Sequence, residues 1–165
     1  MRSLYKRCDK LAFYGVKNDD GSVTYERMTG FTEISTKKQP KEYKRQYIDQ
    51  EFETTDVVGY SPVISYSFDR FTENPVHKDI ARITDEELLG TDAVRSIVIV
   101  DMKTDSGKGK SAICRDFSVI PDSEGGEDIA YTYSGSFKAN SAKEMGTAET
   151  GDDWETISYT MNLPQ

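Results

Sequence analysis

The sequence predicts a mainly β protein: an antiparallel β-sandwich or barrel with one flanking α-helix over about residues 75–89. Three observations lead there. Several short runs alternate apolar and polar residues with a period of two, as half-buried strands do. The composition includes ten Tyr and seven Phe, residue types that favour strands. Only one stretch carries apolar residues at helical spacing. Its 165 residues suit a single domain around one core.

The organising stretch runs from Gly59 to Ile99. Ile64, Tyr66 and Phe68 alternate with Ser65, Ser67 and Asp69, the pattern of a strand with one buried face. Asn74 is a natural N-cap and Pro75 suits the first helical position, where its missing N–H costs nothing. Val76, Ile80 and Ile83 then form one apolar stripe, which needs a sheet to lie against. Thr84 with Glu87 reads as a second capping box, and Gly90 after Leu88-Leu89 as the stop. The run Ile97-Val-Ile-Val100 within Arg95–Met102 is apolar on both faces and belongs mid-sheet, with the helix on one side.

From the start, residues 1–10 are polar and basic and read as a flexible arm. Leu11–Val16 and Val23–Met28 are strands joined by the Asn18-Asp-Asp-Gly21 turn. Gly30 breaks the second, and Phe31–Ile34 extends it or begins a third. Residues 36–52 read as a projecting loop or long hairpin, flanked by strand-like Tyr47-Ile48 and Phe52. Lys103–Lys110 is a polar loop. Ser111–Ile120 is a strand burying Ile113, Phe117 and Val119, and Pro121–Asp128 is an acidic, glycine-containing turn. Ile129–Phe137 alternates, with Tyr131, Tyr133 and Phe137 on one face. Residues 138–153 read as a flexible loop, Trp154–Met161 as the last strand, and Asn162–Gln165 as a tail.

Net charge is −8, unevenly spread. Residues 1–50 hold 11 basic and 7 acidic side chains; the remainder holds 10 and 22. An acidic protein is a poor clamp for nucleic acid, whereas a basic patch on an acidic body can attract copies of the same chain. A merely solubilising surface is the plain alternative. No apolar run approaches the ~20 residues that cross a bilayer, and the start lacks a signal-peptide core, so a cytoplasmic origin is expected. Cys8 and Cys114 are expected as free thiols, and one His with no neighbouring cysteine ligands gives zinc no partner set.

Chemistry is sparse. Gly109-Lys110-Ser111 imitates the end of a phosphate loop, but position 104 is Thr where the pattern needs Gly, and a strand follows where it needs a helix. His77 alone cannot make a hydrolase and reads as a surface helix residue. The pairs Asp19/Asp20, Glu86/Glu87 and Asp152/Asp153 fall in a turn, a helix start and a loop. Asp122–Asp128 is a faint calcium loop at best. Neither catalytic, metal nor cofactor residues are assigned. Tyr131 and Tyr133 would serve a glycan-binding module, or be one buried sheet face. The basic segment Lys37, Lys38, Lys41, Tyr43, Lys44 and Arg45 could contact nucleic acid, contact another copy, or be solvated.

The runs Met28–Thr36, Pro40–Tyr43, Tyr47–Asp49, Thr55–Pro62, Ile64–Phe71, Asn74–Asp85, Arg115–Asp122 and Tyr131–Lys138 together resemble the major tail (tail tube) protein of long-tailed bacteriophages. The likeness rests on the order and spacing of the set, from about Phe13 to Trp154, and residues 1–10 with Cys8 match nothing in it. The resemblance implies two packed sheets with a flanking helix, hexameric rings stacked into a hollow tube, and no catalysis. It implies a virion location after assembly in the host cytoplasm, and no membrane partner. Partners would be the chain itself, the tape-measure, terminator and distal tail proteins, and double-stranded DNA in passage without specific binding. The 37–45 segment would then bridge subunits or rings. Asp101, Asp116 and Glu155 are candidates for an acidic lumen that repels phosphate. The tubes of contractile tails and bacterial injection systems share this architecture and remain an alternative, as does a monomeric β-sandwich binding module.

Overall fold

The computed structural model describes residues 2–105, 107, 109–126 and 128–162. Residues 163–165 of the expected 162–165 tail, and Ser106, Lys108 and Glu127 within an expected loop and turn, lie outside them. Eleven strands and one helix follow in the order β1 (Lys10–Lys17), β2 (Val23–Arg27), β3 (Phe31–Lys37), β4 (Pro40–Arg45), β5 (Thr54–Tyr60), β6 (Val63–Asp69), α1 (Pro75–Asp85), β7 (Val94–Asp101), β8 (Lys110–Gly125), β9 (Thr132–Ala139), β10 (Glu144–Glu149) and β11 (Thr156–Met161). The chain is mainly β with antiparallel pairing throughout, and β7 lies mid-sheet as its apolar run predicts.

Nine strands form one sheet in the order β10-β11-β2-β1-β7-β8-β9-β6-β3. A further pairing of β10 to the first half of β8, with Gly146 opposite Ala112, closes six of them into a barrel. Each barrel strand sends side chains inward: Phe13, Tyr25, Val98, Cys114, Ala148 and Ile157 all belong to this inner cluster. Burial pushes the Cys114 thiol up to about 11 and the Tyr25 hydroxyl up to about 12, so both stay neutral.

The rest of the sheet, β8-β9-β6-β3, carries a second core with the outer face of the barrel. Tyr14 and Ile97 meet Tyr66, Phe68, Phe117 and Phe137 there, and Val76, Ile80 and Ile83 of α1 pack into the same cluster. Strand β8 serves both cores. Ala112 and Cys114 are buried inside the barrel, whereas Phe117 and Val119 are buried outside it. This change of parity explains why Ile113, expected in the core, is 36% exposed: it sits on the outer face before β9 begins to cover it. A buried ion pair ties helix to barrel, with Arg95 Nε 2.8 Å from Asp79 Oδ2 and the Tyr14 hydroxyl donating to the same oxygen at 2.5 Å.

Several expectations are corrected. The helix starts at Asn74, whose side chain accepts from the Val76 and His77 amides, but it ends at Asp85, not 89. Glu87 takes φ +51, the Leu88 amide donates to Ile83 O and the Glu87 amide to Thr84 O, a Schellman ending without glycine. Thr84 therefore caps nothing; its hydroxyl donates back to Ile80 O. Residues 138–153 are no loop, because β10 lies within them. Residues 121–125 are strand, not turn, and pair with β9. Trp154 precedes β11 at φ +68 and packs on Phe13, with ring centroids 6.4 Å apart. In the N-terminal segment a short 3-10 turn spans Arg7–Asp9; Asp9 is buried, and Arg7 donates to Ile34 O at 2.7 Å.

His77 is fully buried, not on the surface. Nδ1 accepts from the Phe71 amide at 3.0 Å and Nε2 lies 2.7 Å from Thr29 O, which fixes the neutral Nε2–H tautomer. The ring stacks on Phe68 with centroids 4.3 Å apart. Desolvation lowers its pKa, outweighing the Thr29 carbonyl that favours the charged form. The imidazole pins the β2–β3 connection to the helix; no nucleophile is placed beside it by these contacts.

Candidate assembly interface

Outside the body stands a second, two-stranded sheet, β4 with β5, joined through residues 46–53. Every residue from 35 to 53 is exposed. Strands of six and seven residues, at ~3.3 Å each, reach about 20 Å. Tyr47, Ile48 and Phe52, expected as strand residues, form the tip; Ile48 and Phe52 are fully and three-quarters exposed. Tyr43, Val57, Val58 and Tyr60 on the strands are also exposed. Isolated exposed apolar residues need no explanation, but a contiguous set on one projection marks a contact surface.

Of the basic segment, Lys37 ends β3, Lys38 is in the link, and Lys41, Tyr43, Lys44 and Arg45 lie on β4. Arg45 donates to the Tyr43 hydroxyl at 2.7 Å and stacks over its ring, while Lys44 pairs with Glu42 at 3.7 Å. These charges are spread along a ladder with no convergence on a ligand. Sequence reading stopped at the basic half of the projection. The acidic half, Asp49, Glu51 and Glu53 between Tyr47, Ile48 and Phe52, was legible as apolar residues interleaved with like charges and lacking any core periodicity.

A 960 Å³ cleft opens between the N-terminal segment, β1 and β3. A 390 Å³ cleft adjoins it, floored by Ile97, Ile113 and Phe117. Thr36 and Ile99 line both, so they form one trench along the barrel's outer face beside β3. Strand β3 is the last of its sheet and pairs on one side only, with β6. The Arg115 Nε is buried there with no hydrogen-bond partner among the described residues.

The three acids are not gathered. Asp101 borders the trench; Asp116, on the inner-face parity of β8, accepts from Ser96 at 2.6 Å; Glu155 is exposed beside β11. Tyr131 precedes β9 and is exposed, whereas Tyr133 is buried with its hydroxyl 3.3 Å from Asp85, and burial pushes that hydroxyl up to about 12. The two tyrosines thus do not make a flat sugar platform. The Gly109-Lys110-Ser111 segment leads into β8, and Lys110 pairs with Asp105 at 2.6 Å. Among the described residues, no three His, Cys, Asp or Glu side chains gather as a metal site, and no helix is long and apolar enough to cross a membrane. Cys8 is exposed and Cys114 buried, both as free thiols.

The chain matches no family model and no curated protein. Among solved structures it is similar to a chain of the anti-feeding prophage baseplate determined by cryo-EM with 6-fold symmetrisation. That chain is 8% identical, with a TM-score of 0.48, over 88% of this chain and 97% of the other.

Proposed function

We propose that this protein is a structural, self-assembling subunit of a phage tail tube, without catalysis, in which hexameric rings stack around a channel for the genome. The observation that carries this reading is the projecting hairpin. It presents Tyr43, Tyr47, Ile48, Phe52, Val57 and Val58 to water on a sheet too small to be stable for its own sake. A second copy supplies the missing cover. The outer edge of β3 pairs with no second strand among the described residues, though Arg7 donates to its Ile34 carbonyl, and such an edge is a usual place for a neighbour to join a sheet. The resemblance of the ordered motif set to tail tube proteins gives the tube as the form of assembly.

In this reading Lys37 to Arg45 and the hairpin they begin bridge subunits or rings, and other tail proteins cap the tube. Of the acids assigned to the channel wall, Glu155 is exposed, whereas Asp101 and Asp116 are partly buried. The tube of a contractile tail or injection system uses the same physics and differs in the sheath around it. Electron microscopy of the purified full-length chain, from micromolar to millimolar, tests the proposal. Rings or tubes are expected; a monomer under all conditions overturns it.

A further inference from the structure

The trench has a chemistry that matches one segment of this same chain. Its basic lining includes Lys10, Arg27, Lys38, Arg115 and Lys143, and its acidic lining is Asp101 alone. Its floor is apolar: Ile34, Ile97, Ile99, Ile113 and Phe117. The hairpin tip at residues 46–53 has the complementary composition, with Asp49, Glu51 and Glu53 around Tyr47, Ile48 and Phe52 and no basic residue. Lys38 and Tyr60, at the root of the hairpin, themselves line the trench. The tip therefore stands about one strand-length of ladder, roughly 20 Å, from its own trench. Folding back would break the β4–β5 pairing, so the tip's partner is another molecule.

We propose that the trench between β3 and the outer face of β1, β7 and β8 receives the 46–53 tip of a second copy of this chain. Phe52 and Ile48 enter over Ile113 and Phe117, and the tip carboxylates meet Lys38, Lys143 and Arg115, whose Nε has no hydrogen-bond partner among the described residues. Opposite charge steers the encounter and fixes which way round the tip seats, while apolar burial holds it. Each copy then gives one tip and accepts one. Such a contact is head-to-tail and propagates, closing into a ring or running on as a filament. This inference rests on the self-assembly reading above but names the surface that performs it.

The test uses two full-length variants, one with Ile48→Asp and Phe52→Asp in the tip, the other with Lys38→Glu and Lys143→Glu in the trench. All four positions are exposed, so folding is retained and is checked by thermal unfolding. Sedimentation velocity should show each variant associating at least about tenfold more weakly than wild type. An equimolar mixture should give a heterodimer and nothing larger, since one good tip and one good trench remain. Ile113→Asp serves as an independent trench variant. Assembly of either variant at wild-type strength, or a mixture that stays monomeric, overturns the tip-in-trench contact while leaving self-assembly standing. A wild-type chain that never associates overturns both.

Discussion

The barrel and the 40–60 hairpin are both antiparallel ladders, yet they solve opposite problems. The barrel consumes its own edges: β8 pairs with β10 and closes the ring, and inward side chains from all six strands fill it. The hairpin leaves both edges and both faces in water. A backbone ladder of that size gains little stability alone, while its apolar side chains carry a solubility risk. The contrast teaches where selection for folding ends and selection for contact begins. In the proposed assembly, residues of the body are placed for this chain and residues of the hairpin for a neighbour.

That contrast predicts a clean separation of effects. Phe137→Ala in the body removes a fully buried ring stacked on Tyr66 at 4.5 Å, and should cost ~3–5 kcal/mol of folding stability in urea titration. Phe52→Ala at the tip should change the same measurement by no more than ~0.5 kcal/mol, while weakening association strongly. If Phe52→Ala destabilised the monomer as Phe137→Ala does, the hairpin would belong to the fold.

Charges should divide the same way. Asp79 is buried between Arg95 and Tyr14, so Asp79→Ala strands a guanidinium and should cost ~3–5 kcal/mol. Replacing Glu42, whose partner Lys44 is solvent-exposed, should cost ~0–1 kcal/mol. Both are read from chemical unfolding midpoints.

The histidine gives a pH signature confined to the body. Burial holds the folded-state pKa of His77 below that of the unfolded chain. Stability is thus complete above about pH 6.5 and falls as pH drops below it, because the unfolded chain takes up a proton that the folded chain resists. Urea midpoints between pH 8 and 5 should show this decline, and His77→Gln should flatten it. Hydrogen exchange of the hairpin amides, corrected for intrinsic rate, should not follow the same curve.

Which of these features a reader of the sequence could see depends on whether their cause is local. The Asn18–Gly21 turn, the Asn74-Pro75 helix start and the doubly apolar β7 are set by neighbouring residues, and all three stand as expected. His77 could not be placed, because its acceptor and donor come from Thr29 and Phe71, contacts that exist only after folding. Strand β10 hid for a different reason. It closes the barrel with Gly146 and Ala148, since a side chain at 146 would strike the Tyr159 ring and the Thr160 carbonyl. A strand chosen for smallness carries no hydrophobic alternation. The projection at 36–52 was legible from its lack of a core face, whereas no periodicity within one chain encodes the contact proposed between two.

The smallest effects probe two strained residues, one in each region. Glu87 and Gln39 are non-glycine residues at φ +51 and +44, a conformation that costs ~1 kcal/mol or more for a residue with a Cβ. At Glu87 the strain is held by the body, through the two helix-ending hydrogen bonds and the packing of Leu88 on the main core. Glu87→Gly relieves it, and should raise folding stability by ~0.5–1 kcal/mol after the added freedom of the unfolded chain is counted. Gln39 sits between β3 and β4, and its carbonyl accepts from the Ser61 amide at 3.2 Å, so it sets the angle at which the hairpin leaves the body. Gln39→Gly should leave the unfolding midpoint unchanged within ~0.5 kcal/mol. It should instead weaken association, because a freed hinge must be ordered again at each contact. Equal responses at the two positions would mean that the hairpin is held as firmly as the helix end.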